Sequence, residues 1–327
     1  MKNKRLLSYA LNLIMLAVIF AVMLCLINAK VLNRYYTGIA IMVCINVIMA
    51  TSLNLTTGFL GQLALGHAGF MAIGAYAAAL FTKNVGLDIS ISFPISLIVG
   101  GLFSAVFGVI IGIPALRLRG DYLAIITLGF GEIIRVIIIN LEFTGGAKGL
   151  SRISRVTDFP YVYIIMALVV ALLFTLGRSR HGRAILSIRE DEVAAEASGI
   201  PTTYYKVFAF TLAAFFAGVA GGLYAHYAGV LDPKNFGFNK SIEYLVMVVL
   251  GGMGSISGSI IAATVLTLLP EVLRGFSDYR MLVYSLMLIL MMLFRPSGLL
   301  GTREFTLIGI IERARGESTG RGIGALK

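Results

Sequence analysis

Ser90–Leu116 reads SISFPISLIVGGLFSAVFGVIIGIPAL, with no charged side chain along its whole length. A run of about 18 or more apolar residues is long enough to cross a bilayer as one helix. Leu6–Ala29 is a second uncharged run. The whole chain of 327 residues is 58% hydrophobic and 13% charged, where a soluble domain carries about 25% charged residues. These figures exclude a soluble fold. The runs are also far longer than the alternating segments of about ten residues that build a membrane barrel. The fold class is therefore all-α and polytopic, with about ten transmembrane helices, some of them short or broken. The net charge of +11 reads as cytoplasmic lysine and arginine that orient the spans, not as a nucleic-acid surface.

Working outward, the expected spans are Leu6–Ile27, Tyr35–Leu55, His67–Phe81, Phe93–Ile113, Tyr122–Ile139, Tyr161–Leu176 and Val207–Val230. The N-terminal run is too long for a signal peptide, and Asn28-Ala29-Lys30 is a poor cleavage site, so it reads as a retained first span. Cys25 and Cys44 lie in apolar runs and read as small core residues, not a disulfide. Ser241–Pro270 is apolar but is interrupted by GGMGSISG at 251–258. It is either one broken span or two short spans joined at the glycines. A last span covers Tyr279–Phe294, and a basic, glycine-rich, partly disordered tail follows at 302–327. With Lys2, Lys4 and Arg5 inside, three short spans after Val230 leave an excess of lysine and arginine inside and put both termini in the cytoplasm. The transmembrane domain is thus 1–301, with the polar stretch 178–206 inside it.

The longest polar interruption is Arg178–Lys206, RSRHGRAILSIREDEVAAEASGIPTTYYK. Alanine and glutamate favour helix, and Gly199 followed by Pro201 is a stop signal. The stretch is expected inside, as a short surface helix. A plain connector is one reading. The other is docking, in which small residues (Ala194, Ala195, Ala197) let a helix seat in a partner's groove while charges fix its register.

No catalytic set is present. There is no phosphate-cradling GxxxxGK[ST] loop, no HExxH and no GxSxG, and His67, His181 and His226 are not at metal-ligand spacing. No cofactor or metal is expected on this chain. Glu132 and Arg135 are the one charge pair within a span. At i, i+3 they share a helix face, and they either hold spans together or line a pathway. The glycine-rich stretch with Gly61, Gln62, Gly66 and His67 offers either backbone polar groups for a solute or tight helix packing. Thr127 joins these residues as a pathway candidate.

Glu192-Val-Ala-Ala-Glu-Ala-Ser-Gly199-Ile resembles the EAA loop of ABC importer permeases. Thr57-Gly58, Gly61-Gln62, Gly66-His67-Ala-Gly69-Phe70 and Gly74-Ala75-Tyr76 resemble the signature of branched-chain amino acid permeases of the M type. Leu118-Arg-Gly120-Asp-Tyr122, Thr144-Gly145-Gly146, Gly182-Arg183, Leu223-Tyr-Ala-His-Tyr227, Ser241-Ile-Glu243 and Val249-Leu-Gly251-Gly-Met-Gly254-Ser255 extend that resemblance over nearly the whole chain. It implies an inner-membrane importer subunit paired with a second, H-type permease, two cytosolic ABC ATPases that bind ATP-Mg, and an extracytoplasmic amino-acid-binding protein. The resemblance assigns the coupling role to the loop with Arg189, Glu190, Asp191, Glu192, Ala194, Ala195, Glu196 and Gly199. The rival expectation is an ATP-independent transporter or channel for a small polar solute such as an amide or urea. A membrane-embedded enzyme is the third, and no catalytic set supports it.

Overall fold

The computed structural model describes residues 2–118, 120–276, 285, 286, 289, 293, 294 and 298–301. Among these residues helices are the only regular secondary structure, apart from one isolated bridge between Leu150 and Leu231. The helices are α1 (Lys2–Asn28), α2 (Arg34–Asn54), α3 (His67–Asn84), α4 (Ile89–Ala115), α5 (Asp121–Asn140), α6 (Phe159–Arg178), α7 (Arg180–Glu190), α8 (Glu192–Ala197), α9 (Thr202–Ala228), α10 (Phe238–Gly251) and α11 (Ile256–Val272). Five of them are long and apolar enough to cross a membrane: α2 with its extension to Phe59, α4, α5, α6 and α9. The polytopic all-α expectation is borne out.

α2 and α9 lie at the centre, and α3, α4 and α9 form the tightest group. Small residues make this possible. A methyl on Gly74 would drive into the backbone of Gly218, and one on Gly100 would stand 2.7 Å from the Gly74 carbonyl oxygen. Without a hydrophobic drive between helices in lipid, such close backbone approach is the main source of packing energy. Ser104 on α4 also donates to the Phe70 carbonyl of α3 at 2.8 Å. By contrast, Leu102, Val106 and Ile110 of α4, Ile125, Ile133 and Ile137 of α5, and Leu168 and Leu172 of α6 are exposed. In an aqueous protein that surface would be a liability, whereas a bilayer covers it.

The region after Val230 resolves as two short helices, α10 and α11, joined at Gly252–Ser255. Gly252 and Gly254 both have positive φ, at 109° and 93°, which a β-carbon disfavours. This turn lies at the same end of the bundle as α7, because the Arg189 side chain approaches Gly254. At the opposite end Tyr35 donates to Glu271, and Leu150 pairs with Leu231. α11 therefore finishes at that far end, yet Leu299 N–H bonds the Leu250 carbonyl at 2.7 Å, back at the α7 end. Both facts agree with the three-pass arrangement expected after Val230. The span at Tyr279–Phe294 falls largely, and the tail at 302–327 wholly, outside the described residues.

One local expectation is corrected. The Arg183–Ile200 stretch is not one helix but two, α7 and α8, broken at Asp191. Asp191 is extended (φ −158°, ψ 111°), and its carboxylate accepts from Val193 N–H at 2.9 Å and Ala194 N–H at 3.0 Å. An aspartate that satisfies the free amides of a new helix start outcompetes continuation of the old helix.

Candidate functional site

The candidate site begins with the α7–α8 hairpin. Ser179 caps α7 by accepting from Gly182 N–H at 3.1 Å. Ile185 and Ile188, three residues apart, are buried and lay α7 against the bundle. α8 ends in a double closure: Ile200 N–H bonds the Ala195 carbonyl at 3.1 Å and Gly199 N–H bonds the Glu196 carbonyl at 2.9 Å. That pattern needs a left-handed residue at Gly199, whose φ is 81°. Glu192 pairs with Lys206 at 2.6 Å, and Lys206 is only 4% exposed. The hairpin is thus fixed at both ends of α8 and in its middle, where Ala195 is buried. What it leaves outward is Glu190, Asp191, Val193, Ala194, Glu196, Ala197 and Gly199, all exposed, with Val193 at 68%.

The residues of the expected loop therefore divide. Glu190, Asp191, Ala194, Glu196 and Gly199 face out. Ala195 faces in, Glu192 is half-buried against Lys206, and Arg189 turns back into the bundle. Arg189 donates through Nη1 to the Gly58 carbonyl at 2.6 Å. It rests where Gly61 and Gly254 have no side chain: a methyl at Gly61 would stand 2.8 Å from Arg189 Cγ, and one at Gly254 2.7 Å from Nη1.

Beneath Arg189 the membrane helices are interrupted twice. α2 widens into a π-helical turn at Leu55–Phe59, and residues 61–66 then run without helix until α3 starts at His67. Backbone of this kind at depth must find partners inside the protein. Gln62 N–H bonds the Thr56 carbonyl at 2.9 Å, Leu65 N–H bonds Thr127 Oγ1 at 3.0 Å, and Ala68 N–H reaches Ser241 Oγ at 3.3 Å. Gly66 lets this non-helical segment touch the α5 backbone at Thr127. His67 is buried, with Nε2 2.9 Å from Ser52 Oγ. The Gln62 amide oxygen is buried and has no partner among the described residues. The second interruption is the Gly252–Ser255 turn. Asn54 joins the two: its Nδ2 donates to the Ser255 carbonyl at 2.9 Å, and its Oδ1 accepts from Gly254 N–H at 2.9 Å.

Gly61, Gln62, Gly66, His67 and Thr127 are thus one contiguous group. Glu132 and Arg135 stand apart from it. They pair at 2.7 Å, and Glu132 Oε1 accepts from Phe238 N–H at 2.8 Å, tying α5 to the first turn of α10. Arg135 with Lys234 and Lys240 borders a cleft of about 350 Å³ there. A carboxylate at a helix N-terminus meets free amides and the positive end of the dipole.

Sequence reasoning missed Asn54 and Lys206. Asn54 had a signal, a carboxamide inside an apolar run, where polar side chains are costly unless satisfied. Lys206 had none, because its partner lies across a proline and a left-handed glycine.

Comparison with known proteins follows the same outline. A family model described as branched-chain amino acid transport system / permease component matches residues 35–294. The high-affinity branched-chain amino acid transport system permease protein LivM of Salmonella typhimurium is 40% identical, over 82% of this chain and 70% of that one. LivM of Escherichia coli K12 is 39% identical with the same coverage. The permease protein LivH of Salmonella typhimurium is 30% identical over 55% of this chain and 59% of its own length. No solved structure matches.

Proposed function

This chain belongs to the family of branched-chain amino acid transport system permease components, and on that premise we propose that it is one of two unlike permease subunits of an ATP-driven importer for branched-chain amino acids. The second permease is of the H type, and two cytosolic ATPases bind ATP-Mg and hydrolyse it. An extracytoplasmic binding protein delivers the amino acid and sets most of the selectivity. The α7–α8 end faces the cytoplasm, in keeping with Arg117, Arg178, Arg180 and Arg183 near it. The solute path runs along the non-helical Gly61–Gly66 segment with His67 and Thr127, where broken helices expose backbone polar groups.

The observation that carries this reading is α8. It is a six-residue helix, capped at both ends, pinned by Lys206 and turned outward with acidic and small side chains. A mere connector needs no such fixation, whereas a surface that transmits force to a partner does. ATP-driven closure of the partner subunits would act on α8 and bias the membrane helices between two states, as differential contacts allow.

The test is uptake by the reconstituted importer, with the chain carrying Glu192→Ala and Gly199→Ala together. ATP-dependent uptake should fall about tenfold, the size of an ordinary coupling energy. Undiminished ATP-dependent uptake contradicts the docking role, and uptake by the wild-type chain without ATP favours an independent transporter.

A further inference from the structure

We propose that Arg189 is a positioning residue that couples the α7–α8 hairpin to both interruptions of the membrane helices, and is not part of the surface offered to the ATPase. The proposal rests on the importer reading above and names the internal link that reading requires.

Three features bear on this one side chain. The first is donation. Gly58 lies in the π-helical turn that ends α2, and its carbonyl accepts from Arg189 Nη1 at 2.6 Å. Carbonyls at a helix end lack intrahelical donors and carry the negative end of the dipole, so a cation suits them. π-turns themselves collect at functional positions.

The second feature is room. Gly61 and Gly254 come from segments almost two hundred residues apart in sequence, yet both present a bare α-carbon to the same side chain. Any larger residue at either place would displace Arg189. Gly61 has φ 74° and Gly254 φ 93°, so a side chain at either position would also be strained.

The third feature is continuity. Asn54 bonds Gly254 N–H and the Ser255 carbonyl, and Asn54 is one turn before Gly58. Arg189 and Asn54 therefore meet at the same two breaks. Arg189 itself is the penultimate residue of α7, one residue before the helix gives way to Asp191 and α8. A displacement of α8 reaches Arg189 through the turn that Asp191 holds by its two capping bonds, and a displacement of Arg189 reaches both breaks at once. Coupling is carried physically when one element has two arrangements that both sites bias.

The experiment uses the complete importer in proteoliposomes with its binding protein, and reads leucine moved per ATP hydrolysed. Arg189→Ala should keep the ATPase subunits in the complex and keep ATP hydrolysis within about twofold, while leucine per ATP falls about tenfold. Arg189→Lys, which retains charge and reach to the Gly58 carbonyl, should recover most of the ratio. Arg189→Gln, whose amide is too short to reach, should not, and it decides the matter if the alanine variant fails to accumulate. A purely structural arginine would lower the amount of complex and leave the ratio alone, so an unchanged ratio in assembled Arg189→Ala or Arg189→Gln overturns the proposal. Loss of the ATPase subunits from either variant overturns it too, since Arg189 would then be a docking contact. The wild-type control separates this from the parent reading: if wild-type complex moves no leucine with ATP, the importer assignment fails; if it does and the variants match it, only the role of Arg189 fails.

Discussion

Glycine does opposite work in two parts of this molecule. In the α3–α4–α9 group, Gly74, Gly100, Gly218 and Gly221 sit inside regular helices and let backbones meet. Around Arg189, Gly61, Gly252 and Gly254 sit outside helices and take left-handed backbone angles. The first set removes space and makes a rigid block. The second set breaks helices and exchanges backbone bonds for side-chain ones, from Asn54, Thr127, Ser241 and Arg189. A rigid block beside a polar, side-chain-held junction is the arrangement expected of a part that moves against a part that does not.

The contrast can be broken by substitution. The largest effect should come from Gly218→Leu, which forces a side chain against Ser104 and the Gly100 carbonyl. Overpacking costs about 1–3 kcal/mol, occasionally more, so the amount of folded protein after detergent extraction should fall steeply. A smaller loss is expected of Asn54→Ala. It leaves Gly254 N–H without its acceptor and the Ser255 carbonyl without its donor, a cost of about 1–3 kcal/mol, but forces no new side chain into the packed helices. Its thermal midpoint should lie between those of wild type and Gly218→Leu, while its transport falls further than its abundance does. If Asn54→Ala lost abundance as steeply as Gly218→Leu and kept full transport per folded molecule, the two regions would not differ in kind.

Much of the fold could be read from the sequence because apolar runs and their interruptions are long-wavelength signals. The spans Phe93–Ile113 and Tyr161–Leu176 lie within α4 and α6, and the GGMGSISG interruption separates α10 from α11. Gly199-Ile200-Pro201 ends α8 as its chemistry requires. The candidate site was less legible. Helix propensity alone gave no reason to break the chain at Asp191, because the side chain's capping bonds form only once the chain turns. Composition placed Arg189 with its charged neighbours on the outside, but periodicity within α7 sets it close to the buried face that carries Ile185 and Ile188. The Asn54 bridge and the Lys206–Glu192 pair depend on distant segments meeting, which no local pattern encodes. The Glu132–Arg135 pair was foreseen at i, i+3. Its bond to Phe238 N–H was not, since that belongs to the start of another helix.

The central claim is that α8 presents its outer face to an ATPase subunit. The most direct test places a single cysteine at Val193, in a chain with Cys25 and Cys44 replaced by alanine, and attaches a short photo-cross-linker in the assembled importer. Val193 is the most exposed large hydrophobic residue of the hairpin, at 68%. The account predicts an adduct with the ATPase subunit whose yield changes when ATP is bound, and no such adduct from a cysteine at Val230, which is exposed beyond the far end of α9. An assembled, transporting complex in which Val193 yields no ATPase adduct, or in which Val230 does, would contradict it.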